Sequence, residues 1–280
     1  MQFFYDMADN PFLGMGLLAG ILASLACGVM GPIVIARRIV FLSGAIAHMA
    51  VGGIGAAIFL AGVYPQTWGW VQPLHGAVVS ALFAAVLIGV VHNRVAERID
   101  TLVGALWAVG MATGILLIKY TPGYQTELMG YLFGNIVFVT REEVVMMLVV
   151  NALIVVTMLT FYKRILAICL DQQQAQLQGV NVVWTNIVLL SLVALTVICL
   201  IQVVGLILVI ALLTLPAATA AHHVSRMAPM MIASTVLCVV LTTVPRVAVY
   251  GTQISPESAI VLAAGSVYLL SVVYRRVLAR

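Results

Sequence analysis

Runs of apolar residues long enough to cross a bilayer recur along the whole chain, near 13–36, 40–63, 74–91, 101–118, 144–162, 183–202, 205–221, 228–249 and 257–274. A helix rises about 1.5 Å per residue, so about 20 apolar residues span a hydrocarbon core of about 30 Å. A chain patterned this way has no water-soluble solution. Only 8% of its residues are charged and 64% are apolar, whereas a soluble domain carries about 25% charged residues. Disorder is excluded by the same composition, because it needs low hydrophobicity and high charge. The predicted fold is therefore all-α: a polytopic helical bundle in the membrane, one domain over residues 1–280, with nine spans and eight as the alternative count.

The charges orient the bundle. Asp6 and Asp9 precede the first run and no basic residue does, unlike the basic start of a cleaved signal peptide. This favours an outside N-terminus and, with nine spans, a cytoplasmic C-terminus. In that frame Arg37, Arg38, Arg94, Arg98, Lys163, Arg164, Arg226, Arg275, Arg276 and Arg280 lie inside. Only Lys119, Arg141 and Arg246 lie outside, the asymmetry that the positive-inside rule expects. The rule also settles two irregular segments. Residues 128–139 are apolar but too short to cross, and a crossing there would put Lys163 and Arg164 outside, so a short outer or re-entrant helix is expected. Residues 183–221 must cross twice, with a tight turn around Gln202 to Gly205.

Several chemistries are missing. Neither Lys119 nor Lys163 sits in a phosphate-binding loop, and there is no HExxH, no GxSxG and no pair of carboxylates inside a span. Cys27, Cys169, Cys199 and Cys238 form no metal-binding pair and read as buried small hydrophobes. No catalytic residue, resident cofactor or nucleic-acid partner is expected. The acids all fall at span ends or in loops, whereas an ion-driven transporter buries a carboxylate as its relay. Energy for uphill transport would have to enter through a partner.

One ionisable side chain stands well inside a span. His48 lies in Gly44-Ala-Ile-Ala-His48-Met-Ala-Val-Gly52-Gly53-Ile-Gly55, and at helical spacing Gly44, His48, Gly52 and Gly55 share a face. That smooth face admits another backbone or a pathway. Its imidazole suits zinc, iron and other first-row ions, or ties two helices together by a hydrogen bond. Met49, Met111 and Met146-Met147 read as packing. His75 reads as a solvated residue at the outer start of the third span, and His222-His223 as a helix end, although either could meet a passing cation. GxxxG spacings at Gly16/Gly20, Gly110/Gly114 and Gly130/Gly134 indicate close helix packing.

The loop Asp171-Gln-Gln-Gln-Ala175-Gln-Leu-Gln-Gly179-Val180 follows the fifth run. Its first eight residues form helix well and Gly179 suits the stop. A short cytoplasmic helix over about 170–180 is expected, either a docking element or a plain connection. Its acid-x-x-x-Ala-x-x-x-Gly spacing resembles the coupling loop of ABC importer permeases. The whole chain is similar to the permease subunit of the zinc/manganese/iron type of ABC importer. The matching blocks run in order: Arg37-Arg38 into Ala45-Ile-Ala-His48, Asp100-Thr-Leu-Val-Gly104, Glu127 to Gly134, residues 171–180, Val204 to Leu208 through Leu215 to Ala220, and Pro256 to Leu262.

That resemblance implies a homodimer in the lipid bilayer, two copies of a cytoplasmic ABC ATPase subunit on its inner loops, and an extracytoplasmic metal-binding protein delivering a divalent metal ion as cargo. It implies that Asp171, Ala175 and Gly179 serve ATPase coupling, and that His48 matches the histidine of an Asp-x-x-x-His segment proposed to line the metal path. Gly44 stands where the family usually has Asp, which leaves histidine alone with a weaker, more transient hold. The expected function is inward metal transport by alternating access in a prokaryotic plasma membrane. The alternatives are a permease for a chelated metal (siderophore or corrinoid) and a membrane scaffold that transports nothing.

Overall fold

The computed structural model describes residues 5–6, 11–92, 99–122 and 139–278. Their elements are α1 Pro11–Ala36, α2 Val40–Val63, α3 Pro65–Trp68, α4 Pro73–His92, α5 Ile99–Tyr120, α6 Arg141–Leu170, α7 Gln172–Leu177, α8 Val182–Val204, α9 Leu206–His223, α10 Met227–Ala248 and α11 Pro256–Leu278. Among the described residues there is no strand, and nine helices are long and apolar enough to cross a membrane: all but α3 and α7. The helix expected near 128–139 lies outside the described residues except for Val139.

Contacts group the chain into two compact units, Met1–Arg38 with Leu132–Thr160 and Cys199–Arg280, and Ile39–Tyr131 with Phe161–Ile198. In the second unit α2 is the hub, packed on one side by α4 and on the other by α5. Both seams are backbone to backbone. Gly53 and Gly76 leave no room for a side chain on either partner. A Cβ on Gly52 would sit 2.7 Å from the Gly110 carbonyl oxygen, and one on Gly114 2.6 Å from that of Val51. In lipid, helices associate through such close contact, because there is no hydrophobic effect between apolar faces to drive them together. The GxxxG spacing at Gly110/Gly114 thus serves a contact within the chain.

In the first unit α1 packs against α9 and α10, and α9 against α11. A side chain at Gly28 would strike Thr235 of α10, and one at Gly31 the Leu213 backbone of α9. Polar groups here pair with one another. Ser24 and Thr242 share a hydrogen bond of 3.0 Å between α1 and α10, and Asn151 Nδ2 donates to the Leu22 carbonyl at 3.2 Å. Pro216 inside α9 has no N–H for the Leu212 carbonyl, and the buried Cys238 Sγ donates to that oxygen at 3.5 Å. Such replacement partners let proline persist in membrane helices.

Two boundaries differ from the sequence reading in detail. The break between α8 and α9 is Gly205 alone, with φ 82°, a backbone region that favours glycine. Gln202, expected in the turn, continues α8. The fifth apolar run was expected to end at residue 162, before Lys163 and Arg164, but α6 continues to Leu170. Its 30 residues reach about 45 Å, beyond a core of about 30 Å. Long cationic side chains need not end a helix, since their stems lie along apolar surface, and Arg164 lies over the Phe161 ring at 5.5 Å. The start of α6 is fastened by a capping box: Thr140 N–H donates to Glu143 Oε2 at 2.8 Å, and Glu143 N–H donates to Thr140 Oγ1 at 3.3 Å.

Candidate functional site

The short helix α7 is defined at both ends by its own residues. Asp171 is extended and its Oδ1 accepts from the N–H groups of Gln173, at 2.8 Å, and Gln174, at 3.2 Å. This is an N-cap that satisfies two otherwise orphaned donors. At the other end Gly179 has φ 81°. Its N–H donates to the Gln176 carbonyl and that of Val180 to the Ala175 carbonyl, each at 3.0 Å, which is the Schellman closure. Ala175 is 1% exposed. It faces a groove of about 300 Å³ lined also by Lys163, Ala167, Leu170 and Gln174, where α7 folds against the tail of α6.

The three residues expected to engage a partner therefore act as the frame of α7. Asp171 starts it, Ala175 seats it and Gly179 stops it. What the helix offers to an outside surface is Leu177, 89% exposed, with Leu170 close by in sequence at 80%. The residue spacing did not reveal these two. An isolated leucine in a glutamine-rich helix was the available signal.

His48 is buried on the α2 face that meets α5. Its ring stacks on Trp107 with centroids 4.4 Å apart and planes inclined at 22°, and its Nδ1 lies 3.4 Å from Met111 Sδ. A Cβ on Gly44 would stand 2.8 Å from Trp107 Cζ3, so the indole occupies the space that a carboxylate at this position would need. The face shared by Gly44, His48, Gly52 and Gly55 is thus closed by a neighbouring backbone within this unit, and it carries one imidazole beside one thioether. Met111, read as packing, is the group that no spacing paired with His48.

The remaining histidines sit elsewhere. His75 Nδ1 accepts from the Gln72 N–H at 3.0 Å, beside Trp70 and a groove of about 470 Å³ lined by Trp68, Val79 and Phe83. Exposed Tyr64 and Trp70 at this end of α2 and α4 have the character of interfacial anchors. At the end of α9, His222 Nδ1 and His223 Nε2 both reach Ser271 Oγ, at 2.9 and 3.1 Å. Arg275 lies near enough to act on His222, which opposes a cation there. Among the described residues no three His, Cys, Asp or Glu side chains gather to hold an ion. Of the acids, Glu143 completes the capping box at the start of α6. Asp6 accepts from the Tyr250 hydroxyl at 2.8 Å, a bond that raises the phenol pKa. Glu127 lies outside the described residues.

Comparison with known proteins adds four findings. The model of the ABC 3 transport family matches residues 9–275. An uncharacterized membrane protein of Synechocystis is 38% identical over 265 residues, covering 95% of this chain and 91% of its own. A probable metal transport system membrane protein of Chlamydia trachomatis is 34% identical over 266 residues, covering 95% and 90%. Among solved structures, PsaBC from Streptococcus pneumoniae in complex with Fab superposes with a TM-score of 0.83 at 27% identity, covering 96% of this chain and 94% of that one.

Proposed function

The chain belongs to the ABC 3 transport family, and on that premise we propose that it is the membrane permease of an ATP-binding-cassette importer carrying a divalent metal ion into the cytoplasm. It is a multi-pass plasma-membrane protein. Family membership implies an ATPase partner and a substrate-binding protein. Our reading adds that two copies of this chain frame the passage, with two ATPase subunits on the cytoplasmic side and the metal-binding protein on the other. The N-terminus is outside and the C-terminus inside, as the distribution of Lys and Arg favours. The metal is cargo. No nucleotide-binding motif occurs in the chain, so hydrolysis falls to the partner.

The observation that carries the reading is α7: a helix of six residues with its own N-cap and C-terminal closure, presenting an apolar side chain to its surroundings. A short connection needs neither the two caps nor an exposed leucine. A lever that transmits force needs all three, because a frayed end would absorb the displacement instead of passing it to α6 and α8. Helix-in-groove docking recognises one face by its apolar anchors. Closure of the ATPase subunits on ATP then moves α7, and the bundle alternates between outward and inward access. His48 is the transient contact on the way. A passage must bind weakly enough to release, and one imidazole with one thioether satisfies that.

The test is co-purification of the permease with its ATPase partner, followed by ATPase assays with zinc, manganese and iron presented by the binding protein. Metal-dependent stimulation by at least one ion is expected. ATP turnover indifferent to every metal would refute the reading. A chelated-metal importer would instead respond to the chelate and tolerate loss of His48, and a scaffold would bring down no ATPase.

A further inference from the structure

We propose that the His48 contact selects a borderline ion such as zinc over a hard ion such as manganese, with the Met111 thioether as its second donor. The proposal rests on the importer reading and names the cargo class.

Three features of one small region argue for it. The first is spacing. Zinc–nitrogen bonds are about 2.0 Å and zinc–sulfur bonds are longer, about 2.3 Å even for a charged thiolate, so two such ligands in near-tetrahedral geometry stand about 3.4 Å or somewhat more apart. The observed Nδ1 to Sδ distance is 3.4 Å. The two donors already meet across the α2–α5 seam, at a separation that a shared ion also allows. The second is orientation. Trp107 stacks on the imidazole and fixes the plane in which Nδ1 faces the sulfur, so that little ordering remains to be done on binding.

The third is the exclusion of oxygen donors. One turn before His48, on its own face, stands Gly44, and the Trp107 ring fills the space beside it. A carboxylate cannot be added there unless the indole moves. The acids of the described helices lie in first turns, as Glu142 and Glu143 of α6 and Glu257 of α11 do, or cap a helix, as Asp171 does. Carboxylate and carbonyl oxygens suit manganese, magnesium and calcium, whereas thioether and imidazole suit zinc and copper. A neutral nitrogen–sulfur pair thus discriminates by donor chemistry. It also holds a divalent ion without neutralising it, which keeps the contact brief.

The test uses the complex of this chain with its ATPase partner, reconstituted in vesicles with the metal-binding protein on the outer side, and measures ATP-dependent uptake of zinc(II) and manganese(II), alone and in competition. Wild type is expected to favour zinc. Met111→Leu, which keeps the side-chain volume, is expected to lose about tenfold in zinc preference, the scale of losing one supporting group at a metal site. Gly44→Asp combined with Trp107→Ala is expected to raise manganese uptake relative to zinc. Zinc X-ray absorption gives a readout independent of transport: a sulfur neighbour beyond the nitrogen shell at about 2.0 Å in wild type, replaced by nitrogen and oxygen alone in Met111→Leu. Manganese favoured by wild type, or a sulfur neighbour that persists in Met111→Leu, overturns the proposal and leaves the importer reading intact. Uptake of neither ion on addition of ATP overturns the importer reading itself.

Discussion

Replacing Leu177 with alanine separates docking from folding. The side chain is 89% exposed on α7, so it contributes almost nothing to the permease alone, and surface substitutions of this kind stay within about 0.5 kcal/mol. If a groove of the ATPase covers it, burial of a leucine contributes about 1.5–3 kcal/mol. Taking about 2 kcal/mol as lost on truncation, and about 1.4 kcal/mol per tenfold in affinity, the ATPase should bind about 30-fold more weakly. The assay is a titration of the ATPase subunit onto the permease in nanodiscs, with thermal unfolding of the permease as control. The expected result is an unchanged Tm with that loss of affinity. Gln176→Ala, at a neighbouring exposed but polar position, should bind within about twofold of wild type. A Leu177→Ala permease that binds the ATPase as tightly as wild type would refute the argument that this side chain is the anchor.

Other perturbations follow from the same structure. Gly179→Ala meets no atom within 4 Å but must adopt φ 81°, so it should cost about 1–2 kcal/mol in closure of α7, visible as faster amide exchange of Ala175 to Val180 with no change in the spans. Asp171→Ala removes the opposite cap and should cost about 1 kcal/mol in the same readout. Gly110→Leu places bulk against Met49 Cα, 2.8 Å from the new Cβ. It should prevent α2 and α5 from packing, seen as aggregation or a lowered Tm, whereas Gly104→Leu, with open space around it, should not. Cys238→Ala strips the Leu212 carbonyl of its donor and should lower stability by about 0.6 kcal/mol, the average for a side-chain hydrogen bond between membrane helices. Cys238→Ser should restore it.

The spans were legible because a bilayer imposes one length and one composition on everything that crosses it. Val40–Val63 coincides with the run read from sequence. The end of α6 was not legible. Lys163 and Arg164 look like a terminus, yet nothing in their chemistry stops a helix, and the true stop is the Asp171 cap nine residues further on than the expected end. The frame of α7 was visible at Asp171 and Gly179, since caps are local and leave local signatures. The apolar side chain that α7 exposes was hidden, because exposure of Leu177 depends on how α7 lies against α6. The environment of His48 was hidden for a related reason. Helical spacing identifies which residues share a face, and it located Gly44 beside His48, but it cannot say which residues of α5 arrive opposite. Trp107 and Met111 flank Gly110, the glycine that brings the two helices together, so the seam delivers them as a consequence of the packing.

On the importer reading, this bundle moves metal only with force received from a separate ATPase. Uptake against a gradient in proteoliposomes, with and without the ATPase subunit and with ATP supplied on its side, measures that claim directly. Accumulation is expected only in the complete complex, with collapse to passive leakage when the ATPase is omitted. Accumulation of metal by the permease alone would contradict it.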